Sequence, residues 1–317
     1  MARGFKMGAS GESGAKVYVD GVKTNAKEVR ILNVPDGGSV AVDLNYLIST
    51  LPYYFFHGCA VVYNGEIHIL GGGGDSNRTS HYKWDGTRWT SVSTLPYNFY
   101  NGAAVVYNNE IHILGGENNL TKHYKFNSTN ATWSSVSTLP YDFYYSSAVV
   151  YNNEIHILGG GGNYDKHYKW NGSTWSNVST LPYAFYASSA VVYNNKIHIL
   201  GSDAYSSSGN NYIKHYEWNG STWTSASTLP YEFNRGSAVV YNNEIHILGC
   251  LTKGNYKKHY KWDGTRWTSV STLPYEFYYG SGVVYSDEIH ILGGNGHNEH
   301  YLIKGQITAD KVVQSIT

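Results

Sequence analysis

Charge is scarce in this sequence. Lysine and arginine supply 23 residues and aspartate and glutamate another 23, so the charged fraction is 15% and the formal net charge is zero. That balance leaves no electrostatic footprint for nucleic acid or for an anionic membrane surface. Cysteine is scarcer still. Cys59 and Cys250 are far apart and read as isolated thiols, which excludes a disulfide framework and a cysteine metal site. No stretch approaches the ~20 apolar residues of a membrane-crossing helix. The opening MARGFKMGAS has neither an apolar run nor a cleavage-site pattern, so no Sec-type signal is visible. The expectation is a soluble protein made in the cytoplasm, without membrane insertion and without nucleic-acid binding.

What the chain has in abundance is tyrosine, 31 residues, with 9 tryptophans beside it. Aromatic residues favour strands and half-buried pleated surfaces, and tyrosine also suits binding surfaces. These aromatics recur in a fixed order. Leu-Pro-Tyr appears at Leu51, Leu95, Leu139, Leu181, Leu229 and Leu273, so one phrase of about 44 residues is written six times. A period of this size marks a repeat architecture, in which no unit buries its own apolar face alone.

One copy reads as four short strands. In the third these are Ser147 to Tyr151, Glu154 to Leu158, His167 to Trp170 and Trp175 to Val178. Asn152-Asn153, Gly159-Gly160 and Asn171-Gly172 punctuate them as turn signals, and Leu181-Pro182 ends the last. Four antiparallel strands lying between other sheets make a propeller blade. The fold expected is all-β, a six-bladed β-propeller.

The marks within each copy resemble the kelch family of β-propellers: a di-glycine, then a tyrosine, then a tryptophan about seven residues later. Gly71-Gly72, Tyr82 and Trp89 fit, as do Gly159-Gly160, Tyr168 and Trp175. Gly115-Gly116, Tyr124 and Trp133 fit with a two-residue insertion, whereas Gly201-Ser202 and Gly249-Cys250 depart at the second glycine. The resemblance covers residues 41–305.

The sixth copy stops after its third strand, at His300 to Ile303, and Asn45 to Pro52 aligns with Trp89 to Pro96. Residues 41–50 are therefore expected to supply the outer strand of the sixth blade and so close the ring without an exposed seam. Residues 1–40 form a separate N-terminal attachment segment. It contains a small β element suggested by Lys16 to Asp20 and Glu28 to Leu32, and residues 306–317 form a tail. The opening resembles the Gly/Lys/Val-rich starts of tail-associated proteins in phages and prophages of Gram-positive bacteria. That resemblance implies a virion tail location after assembly in the host cytoplasm, with residues 1–40 joining a particle protein.

Comparison of the six copies separates two rims. Turns such as YNNE and WNGSTW are nearly uniform, and both fall on one side of the ring. On the other side, the connection after the di-glycine and the lead-in after Leu-Pro-Tyr vary in length and chemistry. A rim that drifts while its scaffold is copied is the candidate binding face. Its candidate ligand-binding residues are Tyr54, His57, Asn98, Tyr100, Asp142, Tyr144, Tyr145, Tyr186, Glu232, Arg235, Glu276, Tyr278 and Tyr279 from the lead-ins. Tyr164, Tyr205, Tyr212 and Tyr256 join them from the di-glycine connections. The phenylalanine common to the lead-ins is assigned to packing between blades.

The twelve strand histidines, His68, His112, His156, His198, His246 and His290 with the six from His81 to His300, recur because the repeat recurs. They imply no metal centre. The glycine runs lack the Lys-Ser/Thr of a phosphate loop and read as turns. Some kelch propellers are copper radical oxidases, but neither cysteine stands in such a motif. Asp142, Glu232 and Glu276 occupy equivalent positions and are the one place where acidic catalysis could assemble, by facing the central opening together. The leading expectation is a non-catalytic, cofactor-free binding module for a host surface glycan or surface protein, with a homo-oligomer compatible. An intracellular protein-interaction scaffold is the alternative, and a glycan-processing enzyme a further one.

Overall fold

The computed structural model describes residues 6–8, 16–18, 40–203 and 211–309, with side chains placed for 45–203 and 212–304. Residues 40–309 build six four-stranded antiparallel sheets in a ring. In the third sheet the strands run outward in chain order as Ser147–Tyr151, Glu154–Leu158, Lys166–Trp170 and Trp175–Thr180. Each innermost strand touches the next, and Ser281–Tyr285 of the sixth blade touches Cys59–Tyr63 of the first, which closes the circle.

Local chemistry accounts for the turns. Asn152 and Asn153 sit at φ 49° and 59°, the left-handed pair that a two-residue hairpin requires and that asparagine tolerates. In the third turn, Asn171 Oδ1 accepts from the backbone N–H of Ser173 and of Thr174, each at 2.9 Å.

The blades hold together through the lead-in segments. Phe55, Phe99, Phe143, Phe185, Phe233 and Phe277 are all fully buried, so the shared phenylalanine does pack between blades. Phe185, for example, lies with Val149 and Leu158 of the third blade and Ile197 and Ile199 of the fourth. Burying one such ring contributes roughly 1.5–3 kcal/mol. The tyrosine two residues earlier is fixed by its hydroxyl, as where Tyr183 donates to the Gly201 carbonyl at 3.0 Å. The first glycine of each pair is irreplaceable for a related reason. At Gly115, φ 58°, a Cβ would overlap the Phe143 carbonyl oxygen of the next lead-in. The second glycine is also in the positive-φ region, at 71° to 114°, in the four blades that carry it, whereas Ser202 and Cys250 stand where the backbone does not enter that region.

A polar spine crosses each blade. His68 Nδ1 lies 2.8 Å from His81 Nε2, and His81 Nδ1 lies 2.8 Å from Ser93 Oγ. Ser93 Oγ accepts the indole N–H of Trp133 from the second blade at 3.0 Å. With the serine hydroxyl donating to His81, the protons run one way and the last one sits on His68 Nε2. That nitrogen is buried without a hydrogen-bond partner among the described residues, 4.0 Å from the Glu66 carboxylate. The twelve histidines are thus paired along six separate spines. Among the described residues, no group of three or more His, Cys, Asp or Glu side chains converges on a common point.

Glu299–Ala309 and Val40–Thr50 are the third and outer strands of the sixth blade. The chain's beginning thus closes the ring as expected. The third strand runs past the expected boundary at residue 305, and the outer strand starts at Val40, one residue before the expected 41: Gln306, Ile307, Thr308 and Ala309 pair with Asp43, Val42, Ala41 and Val40. In the other blades the third strand ends at the uniform turn, so this two-stranded ribbon leaves from the uniform face. Lys16–Tyr18 forms a strand as expected and pairs with Lys6–Gly8; residues 28–32 lie outside the described residues. No helix among the described residues is long and apolar enough to cross a membrane.

Candidate binding funnel

Each lead-in turns over the top of its blade at one residue, and the six residues at that place surround the central opening. They are His57, Asn101, Tyr145, Ala187, Arg235 and Tyr279, each followed by a glycine or serine in the lining. The opening they frame holds about 130 Å³ of water-accessible space and communicates with solvent. All six have φ between 49° and 61°, the left-handed region, although none is glycine. That conformation costs a non-glycine residue roughly 1–2 kcal/mol.

What holds it is a closed circle of main-chain hydrogen bonds. Asn101 N–H donates to the His57 carbonyl, Tyr145 to Asn101, Ala187 to Tyr145, Arg235 to Ala187, Tyr279 to Arg235, and His57 to Tyr279. The distances run from 2.6 to 2.8 Å. The circle consumes the donor and one acceptor lone pair of every member, so identity at these positions is free to vary while the backbone does not move.

The side chains on this rigid circle differ sharply around it. His57 lies with its ring 3.7 Å from that of Tyr279 and 4.6 Å from that of Tyr100, both tilted by 35°. Asn101 is buried and orders the imidazole: its Nδ2 donates to Glu117 Oε2 at 3.2 Å, leaving Oδ1 to accept from His57 Nδ1 at 2.5 Å. The proton is therefore on Nδ1, and Nε2 keeps its lone pair. Burial, with Arg235 and Arg78 adding to it, lowers the His57 pKa to about 4, so the ring is neutral near pH 7. Arg235 Nη2 meets Asp203 Oδ2 at 2.6 Å, and its guanidinium lies 5.1 Å from the Tyr279 ring centre. On the far side Tyr145 packs against Tyr186 at 5.2 Å, and Tyr186 against Tyr164 at 5.6 Å. Burial raises the Tyr145 and Tyr186 hydroxyl pKa values, so both stay protonated donors. Ala187, between Tyr145 and Arg235, contributes only a methyl group and is itself buried.

The residues singled out in the sequence fall into three groups. His57, Tyr145, Arg235 and Tyr279 line the funnel, and Tyr100, Tyr164 and Tyr186 back them. Tyr144 lies along the Gly161 backbone, and Tyr278 stacks beside Tyr256 at 5.7 Å, one step out. Tyr212 is half-buried, its carbonyl accepting from Phe233 N–H. Tyr54, Asn98, Asp142, Glu232 and Glu276 are exposed on the outer rim. Asp142, Glu232 and Glu276 do not line the funnel. The alternation along the lead-in, outward before the buried phenylalanine and inward two residues after it, separates them from the opening. Tyr205 lies outside the described residues. Sequence reasoning missed Asn101, Ala187, Asp203 and Glu117. The signal for the first two was available: they hold the position equivalent to His57 and Arg235.

No protein-family model and no curated protein matches the sequence. Solved structures do match in fold. The structure of YjhT superposes with a TM-score of 0.67 at 15% identity, covering 82% of this chain and 96% of that one. The fold is a six-bladed β-propeller. At that identity the likeness carries the architecture alone.

Proposed function

We propose that this chain is a non-catalytic binding module whose ligand seats in the funnel at the variable rim. One observation carries the reading: six backbone-locked positions that carry five different side chains. A structural ring would need no such variety, whereas a recognition surface needs a fixed frame and free choice of side chain. The mixture of aromatic faces with an amide, an imidazole and a guanidinium suits sugar C–H faces and hydroxyls.

The repeats are of the kelch type in this reading, and the module serves a phage, prophage or related particle as its host-recognition part. Support comes from the opening segment's likeness to tail-associated proteins and from the placement of the ribbon. Val40, where residues 1–39 join, lies at the uniform face, so a particle held through that segment has the funnel pointing away from it. A single sugar site of this kind is weak, and several copies on one particle raise avidity by roughly 10²–10⁴.

The test is binding of the multivalently displayed chain to a bacterial glycan array, with Tyr145→Ala and Tyr279→Ala as comparators. Loss of binding at unchanged melting temperature supports the reading. Binding that both variants retain moves the site off the funnel. Absence of glycan binding turns the search to a protein partner.

A further inference from the structure

The funnel's polar groups are already committed in a way that selects among ligands, and this inference rests on the binding-module reading. Anions are most often held by main-chain N–H groups or by unpaired guanidinium groups. Here the six mouth N–H groups are all spent on one another. Both nearby guanidinium charges are paired with a carboxylate, Arg235 with Asp203 at 2.6 Å, and Arg78 with Asp75 at 3.0 Å while its plane lies 4.4 Å from the Tyr100 ring centre, although the Nε–H of each is buried without a partner among the described residues. Glu117 adds a third carboxylate beside Asn101. Two cations thus stand against three carboxylates around the opening. Burial keeps the His57 imidazole neutral, and because its Nδ1–H donates to Asn101 Oδ1, the lone pair it offers is on Nε2.

What remains for a ligand is uncharged chemistry. The mouth offers the tilted His57–Tyr279 face, one nitrogen acceptor at His57 Nε2, and tyrosine hydroxyls. We propose that the funnel takes the end of a neutral polyhydroxylated glycan, one sugar unit against the Tyr279–His57 face, and discriminates against acidic sugars. The carboxylate of an acidic sugar would have to displace Asp203 from Arg235 and would meet the like charge of Glu117. A neutral sugar leaves both pairs intact, and one of its hydroxyls donates to His57 Nε2. Asp203 is accordingly a specificity residue acting through Arg235.

The test uses the full chain and two probe sets: methyl glycosides of neutral hexoses and N-acetylhexosamines, and free glucuronate and galacturonate. Saturation-transfer NMR is read at low and high salt. The expected result is binding of at least one neutral glycoside that is insensitive to salt, with uronates at least ten-fold weaker. Asp203→Asn, which frees the guanidinium, should narrow or reverse that gap. Should the variant fail to fold, the salt response of the wild-type chain still decides. Uronates binding as tightly as neutral sugars, or binding that weakens with salt, overturns the inference and leaves the funnel as a binding site. Absence of binding by either probe set overturns it together with the glycan reading.

Discussion

His57 Nδ1 and Asn101 Oδ1 are hydrogen-bonded at 2.5 Å across the boundary between the first and second blades. The bond ties one blade's side chain to its neighbour at the same place where the main chains are tied, so the imidazole is as fixed as the circle beneath it.

Removing the amide should free the ring. Asn101→Ala is expected to cost about 1–2 kcal/mol from the lost hydrogen bonds and the left-handed backbone. It should also let His57 exchange between its two neutral tautomers. Imidazole ¹⁵N shifts report this directly, and a spectrum that still shows the Nδ1–H form alone would assign the tautomer to another contact.

Acid should unfold the propeller well above the carboxylate range. Burial lowers the second-strand imidazoles His68, His112, His156, His198 and His246 to about 4. It lowers the third-strand imidazoles His81, His123, His167, His215, His259 and His300 to about 3. An unfolded histidine titrates near 6.5. Below that pH the unfolded chain takes up protons that the folded chain refuses, so stability is complete above about 6.5 and falls as pH drops toward 4. Each imidazole adds a slope approaching about 1.4 kcal/mol per pH unit. Melting curves by circular dichroism should shift steeply downward between pH 6.5 and 4.5. A flat profile there would show that the spines accept protons without opening.

The seam between the fifth and sixth blades lacks a bond that the other joints share. Elsewhere a tryptophan donates to the serine of the preceding blade, as Trp267 does to Ser227 at 2.9 Å. At the seam Asn45 takes that place and donates instead to the Thr272 carbonyl, while its Oδ1 is buried without a partner among the described residues. Asn45→Trp should restore the bond to Ser271 and gain about 1 kcal/mol, a rise in Tm of roughly 2–4 °C. A lower Tm would mean that the smaller Ile303 opposite leaves the indole without support.

Truncation separates closure from attachment. Deleting residues 1–39 leaves all four strands of the sixth blade in place and should change thermal stability little. Deleting residues 1–50 removes the outer strand and should cost more than about 4 kcal/mol, enough to compromise folding. Equal melting temperatures for the two truncations would show that the ring closes without Val40–Thr50.

The blade and its repetition were legible because turn chemistry and strand alternation are local. Asn152-Asn153 permits one kind of hairpin, and Val149, Ile155 and Ile157 in alternation bury one way. The missing tryptophan strand after Ile303 and its counterpart at Asn45 even disclosed how the ends meet, since six equal copies leave one vacancy. The variable rim was legible by the same comparison.

Which of the variable residues meet was decided only by the tertiary structure. His57, Asn101, Tyr145, Ala187, Arg235 and Tyr279 are 42 to 48 residues apart in the chain, and no local rule brings them together. The circle of main-chain hydrogen bonds does, by forcing each into the left-handed region and turning it to the axis. The same closure sets Asp142, Glu232 and Glu276 on the outer rim, three residues earlier and facing solvent. A repeated sequence determines the unit and the number of units. The ring they close into determines which side chains share a cavity, because that depends on the angle between sheets and not on any single one.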